Sequence, residues 1–206
     1  MKLSARTSPS WRFAVYTGAM TASRPARIEG YAIISVDGML ADSSGVMPDS
    51  LKIDADQYFF HGSLDKADAV VHGRHSHEGG PNAPKRARLI VTRRIAGVGP
   101  HPDNPKAVLW NPAGASFAEA WTMLGIDGVL AVIGGTEVFG LFLDIGYDAF
   151  HLTRADHVRL PGGRPVFPQV PAITPENLLI SRGYKEGASR LLDVEKAVRL
   201  VTWIPI

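Results

Sequence analysis

The 206-residue chain has no cysteine. That excludes disulfides, thiolate metal sites and a cysteine nucleophile, and leaves the compartment open. Net charge is small, +2 from 22 basic and 20 acidic residues, so charge alone gives no reason to expect a nucleic-acid partner. No apolar run approaches the roughly 20 residues of a membrane span. Acidic residues are missing from 1–27, a basic, Ser/Thr-rich stretch whose apolar part, FAVYTGAM, is short and interrupted. It makes a poor secretory signal. We read 1–27 as an N-terminal extension that lies over the domain or pairs with a partner chain, and expect a cytoplasmic location. What the chain has is ordinary globular composition, 45% hydrophobic and 20% charged, enough for one domain with a full core at 28–206.

Runs rich in Val, Ile and Leu recur at 27–36, 68–73, 87–92, 106–110, 128–135, 149–155, 177–184 and 197–205. Several lack polar alternation, the pattern of strands covered on both faces. Helical patterns lie between them at 54–64, 116–124 and 136–144. Tyr58, Phe59 and Leu64 are spaced to share a face of the first. Ser116 and Glu119 form a capping-box pattern at the start of the second. Val138, Leu141 and Phe142 fall on one side of the third. Alternating strands and helices imply parallel crossovers and an α/β sheet. Nothing helical separates the last two runs, which read as a closing antiparallel hairpin.

In such a sheet, ligands gather at the carboxyl ends of strands, and phosphates favour helix N-termini. Two strand ends meet both conditions: Gly134-Gly135-Thr136, and Gly73-Arg74-His75-Ser76. Each admits two readings. Gly134-Gly135 is either a tight strand-to-helix turn or a place where a phosphate approaches the backbone. Arg74 is either a solvated charge or an anion ligand. A third strand end, LIVTRR at 89–94, offers Thr92 and Arg93. With Arg74 they suit a 2′-phosphate, favouring NADP over NAD. Alternatively they belong to a basic surface with Lys85, Arg86 and Arg88. No G-x-G-x-x-G follows the first strand.

In order, AIISVDGMLADSSGVMP (32–48), DAVVHGRHSHEG (68–79), LIVTRR, VIGGTEVFGLFL (132–143), FHLTRAD (150–156) and GGRPVFP (162–168) resemble the segments of the dihydrofolate reductase superfamily, which includes the reductase domain of riboflavin biosynthesis. The resemblance covers about 28–206. It implies a mostly parallel eight-stranded sheet flanked by helices, with an antiparallel C-terminal strand. It also implies hydride transfer from NADPH to a small heterocyclic substrate, and a homodimer, common in the pyrimidine-reductase branch. By the same resemblance Ile34, Leu40 and Gly45 lie near the nicotinamide, partly through backbone contacts. Gly73, Arg74, His75 and Ser76 hold phosphates, and Thr92 and Arg93 the 2′-phosphate. Ile133, Gly134, Gly135, Thr136, Glu137 and Val138 run along the pyrophosphate and nicotinamide.

For catalysis the resemblance points to Asp56, in DADQYFF, with Thr153 as its hydrogen-bonding partner. A carboxylate in an apolar pocket beside Tyr58 and Phe59 suits proton transfer. Asp54 and Asp49 are rivals, and a carboxylate at a helix start is also explained by the dipole. Asp49 stands where the family has an aromatic, which weighs against a folate pocket. Arg86 falls where a folate tail's carboxylate is held, or simply in a basic loop. The chain has no H-x-E followed by P-C-x-x-C, so it carries no zinc deaminase, and no metal site is expected. Two functions remain: a reductase acting on a pterin or on the ribosylamino-pyrimidine of flavin synthesis, and a non-catalytic nucleotide-binding protein on the same fold. No nucleic acid or membrane is expected as a partner.

Overall fold

The computed structural model describes residues 24–76 and 78–206, so 1–23 of the expected extension lie outside the described residues. In chain order the elements are β1 (Arg27–Ser35), β2 (Met39–Ala41), α1 (Asp54–Leu64), β3 (Ala69–Gly73), β4 (Ala87–Val91), β5 (Val98–His101), β6 (Asn104–Trp110), α2 (Phe117–Leu124), β7 (Val129–Val132), α3 (Thr136–Ile145), β8 (Ala149–Ala155), β9 (Arg164–Pro165), α4 (Pro175–Ser181), β10 (Tyr184–Asp193) and β11 (Val198–Pro205). The main sheet runs β10-β11-β8-β1-β7-β3-β4-β6-β5. Its six central strands, β8 to β6, are mutually parallel. β11 lies antiparallel to β8, β10 antiparallel to β11, and β5 antiparallel to β6.

The unbroken apolar runs have their physical explanation in two covered faces. On one face α1 packs Leu64 with Tyr31, Val70 and Ala131. On the other, α2, α3 and α4 bury Trp121, Phe139, Phe142 and Leu179 with Ile34, Val71, Leu130, Val132 and Phe150. The capping box of α2 forms: Ser116 Oγ accepts from Glu119 N at 3.2 Å, and Ser116 N donates to Glu119 Oε2 at 2.7 Å.

The expected mostly parallel α/β sheet with antiparallel C-terminal strands is present, but among the described residues its main sheet has nine strands, not eight. Most of the segment 177–184 is not strand; only Tyr184, which opens β10, is. Thr174 caps a helix there, accepting from Asn177 N at 3.2 Å, Pro175 starts it, and Gly183, at φ +81°, follows it. A three-residue apolar run, Leu178 to Ile180, carries no periodicity to distinguish the two states. β5, rich in turn residues and containing Pro100, occupies an edge, where a missing N–H is tolerated. Tyr58 does not share the inner face of α1; it is 86% exposed.

The parallel strands β8, β1, β7, β3 and β4 point their carboxyl ends the same way, with β1 and β8 running past the end of β7. From β8 to β4 is four strand spacings, about 19 Å at about 4.8 Å each.

Candidate active site

Three neighbouring strand ends build a cradle. β7 runs through Ile133 into Gly134 and Gly135, joined by a cis peptide bond, and α3 begins at Thr136. Ile133 N donates to Val71 O at 3.0 Å and Gly73 N to Gly134 O at 2.8 Å, so the two glycine turns are stitched together. At Gly73 the chain turns, with Ser76 N donating to Gly73 O at 2.9 Å. Beside it, Thr92 N donates to Trp110 O at 2.8 Å.

The glycines leave room. A Cβ on Gly135 would stand 3.0 Å from Ser76 Oγ, and one on Gly73 would stand 3.8 Å from Gly135 N. Either methyl would fill the cradle. Gly134 has a second reason to be glycine: its φ is +107°, and a Cβ would meet the Phe139 ring at 2.9 Å. The first helical bonds of α3 run from Val138 N and Phe139 N to Gly135 O. Among the described residues, the N–H groups of Gly135, Thr136 and Glu137 have no partner. Free N–H groups and the positive end of the helix dipole favour an anion.

The side chains around the cradle differ in what they can offer. Arg74, His75, Arg93 and Glu137 are exposed, and Ser76 is half-buried with its hydroxyl near Gly135. Thr92 is buried; its Oγ1 accepts from Arg94 N at 3.2 Å, which leaves its hydroxyl proton to donate. The Thr136 hydroxyl donates its proton to Pro165 O in β9, so toward an anion only its backbone N–H is left to donate. Val138 is buried behind Gly73 and supports the turn rather than lining it. Ile34 is fully buried in the core, so only its backbone is available to a ligand. Leu40 lies half-buried on β2, Ile133 half-buried at the end of β7, and Gly45 exposed in the loop after β2 at φ +88°.

The acid lies on the α1 side. Of the three rival carboxylates, Asp49 and Asp54 are exposed and Asp56 is 6% exposed. Burial pushes the Asp56 carboxyl from 3.8 up to about 6, and the Thr153 hydroxyl facing it offsets part of the rise. Thr153 sits on β8 in register with Ile33 of β1, and β7 flanks β1 on its other side. The end of β1 therefore separates Asp56–Thr153 from Gly134-Gly135, and a ligand lying over that end reaches both. Tyr58, being exposed, takes no part in enclosing Asp56.

Arg86 and Arg88, grouped by sequence with a basic surface, are buried and paired. Arg86 binds Glu78 at 3.0 Å and Asp65 at 2.5 Å, so it is not an open receptor for a ligand carboxylate. Glu78 was not foreseen. The Arg-x-Arg spacing of 86 and 88 puts two cations on one side of the strand entry, but nothing in it points to Glu78 as their partner.

No protein-family model matches the chain, and no curated protein matches it. Solved structures do. A protein described as a riboflavin biosynthesis protein, from Shewanella sp. PV-4, matches with TM-score 0.60 and 17% identity over 86% of this chain and 98% of that one. The diaminohydroxyphosphoribosylaminopyrimidine deaminase/5-amino-6-(5-phosphoribosylamino)uracil reductase of Thermotoga maritima matches with TM-score 0.60 and 18% identity, over 89% of this chain and 57% of that one. Dihydrofolate reductase of Enterococcus faecalis, solved with NADP(H) and RAB-propyl, matches with TM-score 0.56 and 15% identity over 86% and 95%. The chain has the dihydrofolate reductase-like fold. Among the described residues, no helix is long and apolar enough to cross a membrane.

Proposed function

We propose that the protein is an NADPH-dependent reductase of a small heterocycle. The observation that carries this reading is the pairing of a buried carboxyl poised near pH 6 with an anion cradle one strand away. The N–H groups of Gly135, Thr136 and Glu137 would bind the pyrophosphate, with Gly73 and Ser76 closing the other side. Arg74, one strand farther along, with Arg93 and the Thr92 hydroxyl, two strands farther along, would hold the 2′-phosphate. The bound cofactor supplies the hydride. Asp56 holds a proton where an accepting C=N or C=O group would lie, and Thr153 orients its carboxyl. A carboxyl half-ionised near pH 6 can both donate and recover that proton at neutral pH.

Between the two substrates that the resemblance implies, the structure favours the pyrimidine, 5-amino-6-(5-phosphoribosylamino)uracil. Dihydrofolate carries a glutamate tail, and Arg86, the group expected to receive it, is already paired with Glu78 and Asp65. The experiment follows NADPH oxidation at 340 nm with the pyrimidine and with dihydrofolate, for wild type and Asp56→Asn. Turnover of the pyrimidine that Asp56→Asn abolishes supports the reading. Cofactor binding without turnover of either substrate would favour the non-catalytic nucleotide-binding alternative.

A further inference from the structure

The loop from Arg74 to Arg86 joins β3 to β4 and carries Arg74–Ser76 to the cradle. Among its described residues it contains Gly79-Gly80 and a 3-10 turn at Ala83–Lys85, so regular secondary structure does little to fix them. A buried ionic network does. The Glu78 side chain is 1% exposed. It accepts from Arg88 Nη1 and Nη2, each at 2.7 Å, and from Arg86 Nη1 at 3.0 Å. Arg88 Nη2 also donates to Ala83 O at 2.5 Å, farther along the same loop.

The network continues toward the cradle. Arg88 Nη1 meets His72 Nε2 at 3.2 Å, and His72 Nδ1 meets Gly73 O at 2.8 Å. An arginine can only donate and a carbonyl can only accept. Both bonds form together in the tautomer that carries its proton on Nδ1. Gly73 O is the same atom that accepts from Ser76 N, and Gly73 N reaches Gly134 O. A connected path thus runs from Glu78 through Arg88 and His72 to both glycine turns.

We propose that Glu78, Arg88 and His72 form a positioning relay that holds the Gly73–Ser76 turn in its ligand-receiving shape. The proposal rests on the cofactor reading above, and its physical content is preorganisation. A bidentate, buried carboxylate–guanidinium pair fixes direction as well as distance. A turn already ordered before binding loses less freedom when the ligand arrives. Ion pairs this deep do little for net stability against an apolar replacement, so positional specificity is the better account of their presence.

The test is His72→Phe beside His72→Gln. His72→Phe removes these two bonds, and Arg88 keeps its bidentate pairing with Glu78. His72→Gln can restore both, its carbonyl accepting from Arg88 and its amide donating to Gly73 O. NADPH affinity is read by fluorescence titration and protection of the Ser76 N–H by hydrogen exchange. His72→Phe should weaken NADPH roughly tenfold or more and expose the Ser76 N–H, and His72→Gln should return both toward wild type. Unchanged NADPH affinity and unchanged Ser76 protection in His72→Phe would overturn the relay. Where His72→Phe does not fold, Arg88→Lys, which keeps the charge and loses the fork, gives the same comparison. If wild type binds no NADPH, the cofactor reading fails, and Ser76 exchange in the variants still decides whether the relay orders the turn.

Discussion

Replacing Asp56 by asparagine should stabilise the protein at pH 8 while stopping the reaction. Burial raises the carboxyl from 3.8 to about 6, so the folded protein holds this proton more tightly than the unfolded chain. The sign follows: this contribution to stability is fully present below about pH 4, declines as pH rises through 6, and is flat above. The shift corresponds to about 3 kcal/mol of destabilisation at pH 8, as an upper figure. Asparagine carries no charge to bury, and its side-chain oxygen can still accept from Thr153. For a chain of this length the gain is at most roughly 6–12 °C in melting temperature at pH 8. At pH 4 the two proteins should melt within a degree or two of each other, as roughly expected when both side chains are neutral. The assay is thermal unfolding of wild type and Asp56→Asn at both pH values. An equal difference at pH 4 and pH 8, or a less stable variant at pH 8, would refute the burial argument.

Other outcomes follow from the same geometry. The pH profile of kcat/KM for wild type should turn near pH 6 and fall above it, and a flat profile from pH 5 to 8 would remove Asp56 as the proton source. Gly135→Ala should change stability by less than about 1 kcal/mol, because its φ is −78°, yet weaken NADPH by roughly tenfold or more as the methyl enters the cradle. Gly134→Ala should instead destabilise by about 2 kcal/mol or more, from positive φ and collision with Phe139, seen as an early urea transition. Arg74→Ala should weaken NADPH more than NADH, and an equal loss for both would contradict the 2′-phosphate assignment. Ser116→Ala should lose about 1 kcal/mol through the α2 cap and leave NADPH affinity alone.

Legibility in the sequence followed the strength of local signals. Strands covered on both faces announce themselves as runs such as Val129–Val132, and Ser116 with Glu119 marks the start of α2. The run at 177–181 misled because Leu178 and Leu179 are buried while Ile180 is 56% exposed, a periodicity too short to see. β5 was hidden because an edge strand accepts proline and glycine. At the site, the glycine pair was legible because two adjacent glycines at the end of an apolar run mark a turn, and φ +107° at Gly134 is the conformation that favours glycine there. Asp56 could not be separated from Asp49 and Asp54 by residue type, since burial comes from the packing of α1 against β8 and β1. The pairing of Glu78 with Arg86 and Arg88 depends on a loop folding back on its own strand, which no local pattern encodes.

The central claim is that the ends of β7, β3 and β4 form a cradle for NADPH, and fluorescence tests it most directly. Titrating NADPH into the purified protein, with excitation of its tryptophans and detection of nicotinamide emission, should give saturable energy transfer. The transfer should be complete at micromolar cofactor, and Gly135→Ala should demand far more NADPH to reach it. The absence of saturable transfer at high micromolar NADPH, with the protein folded by its melting profile, would contradict the account.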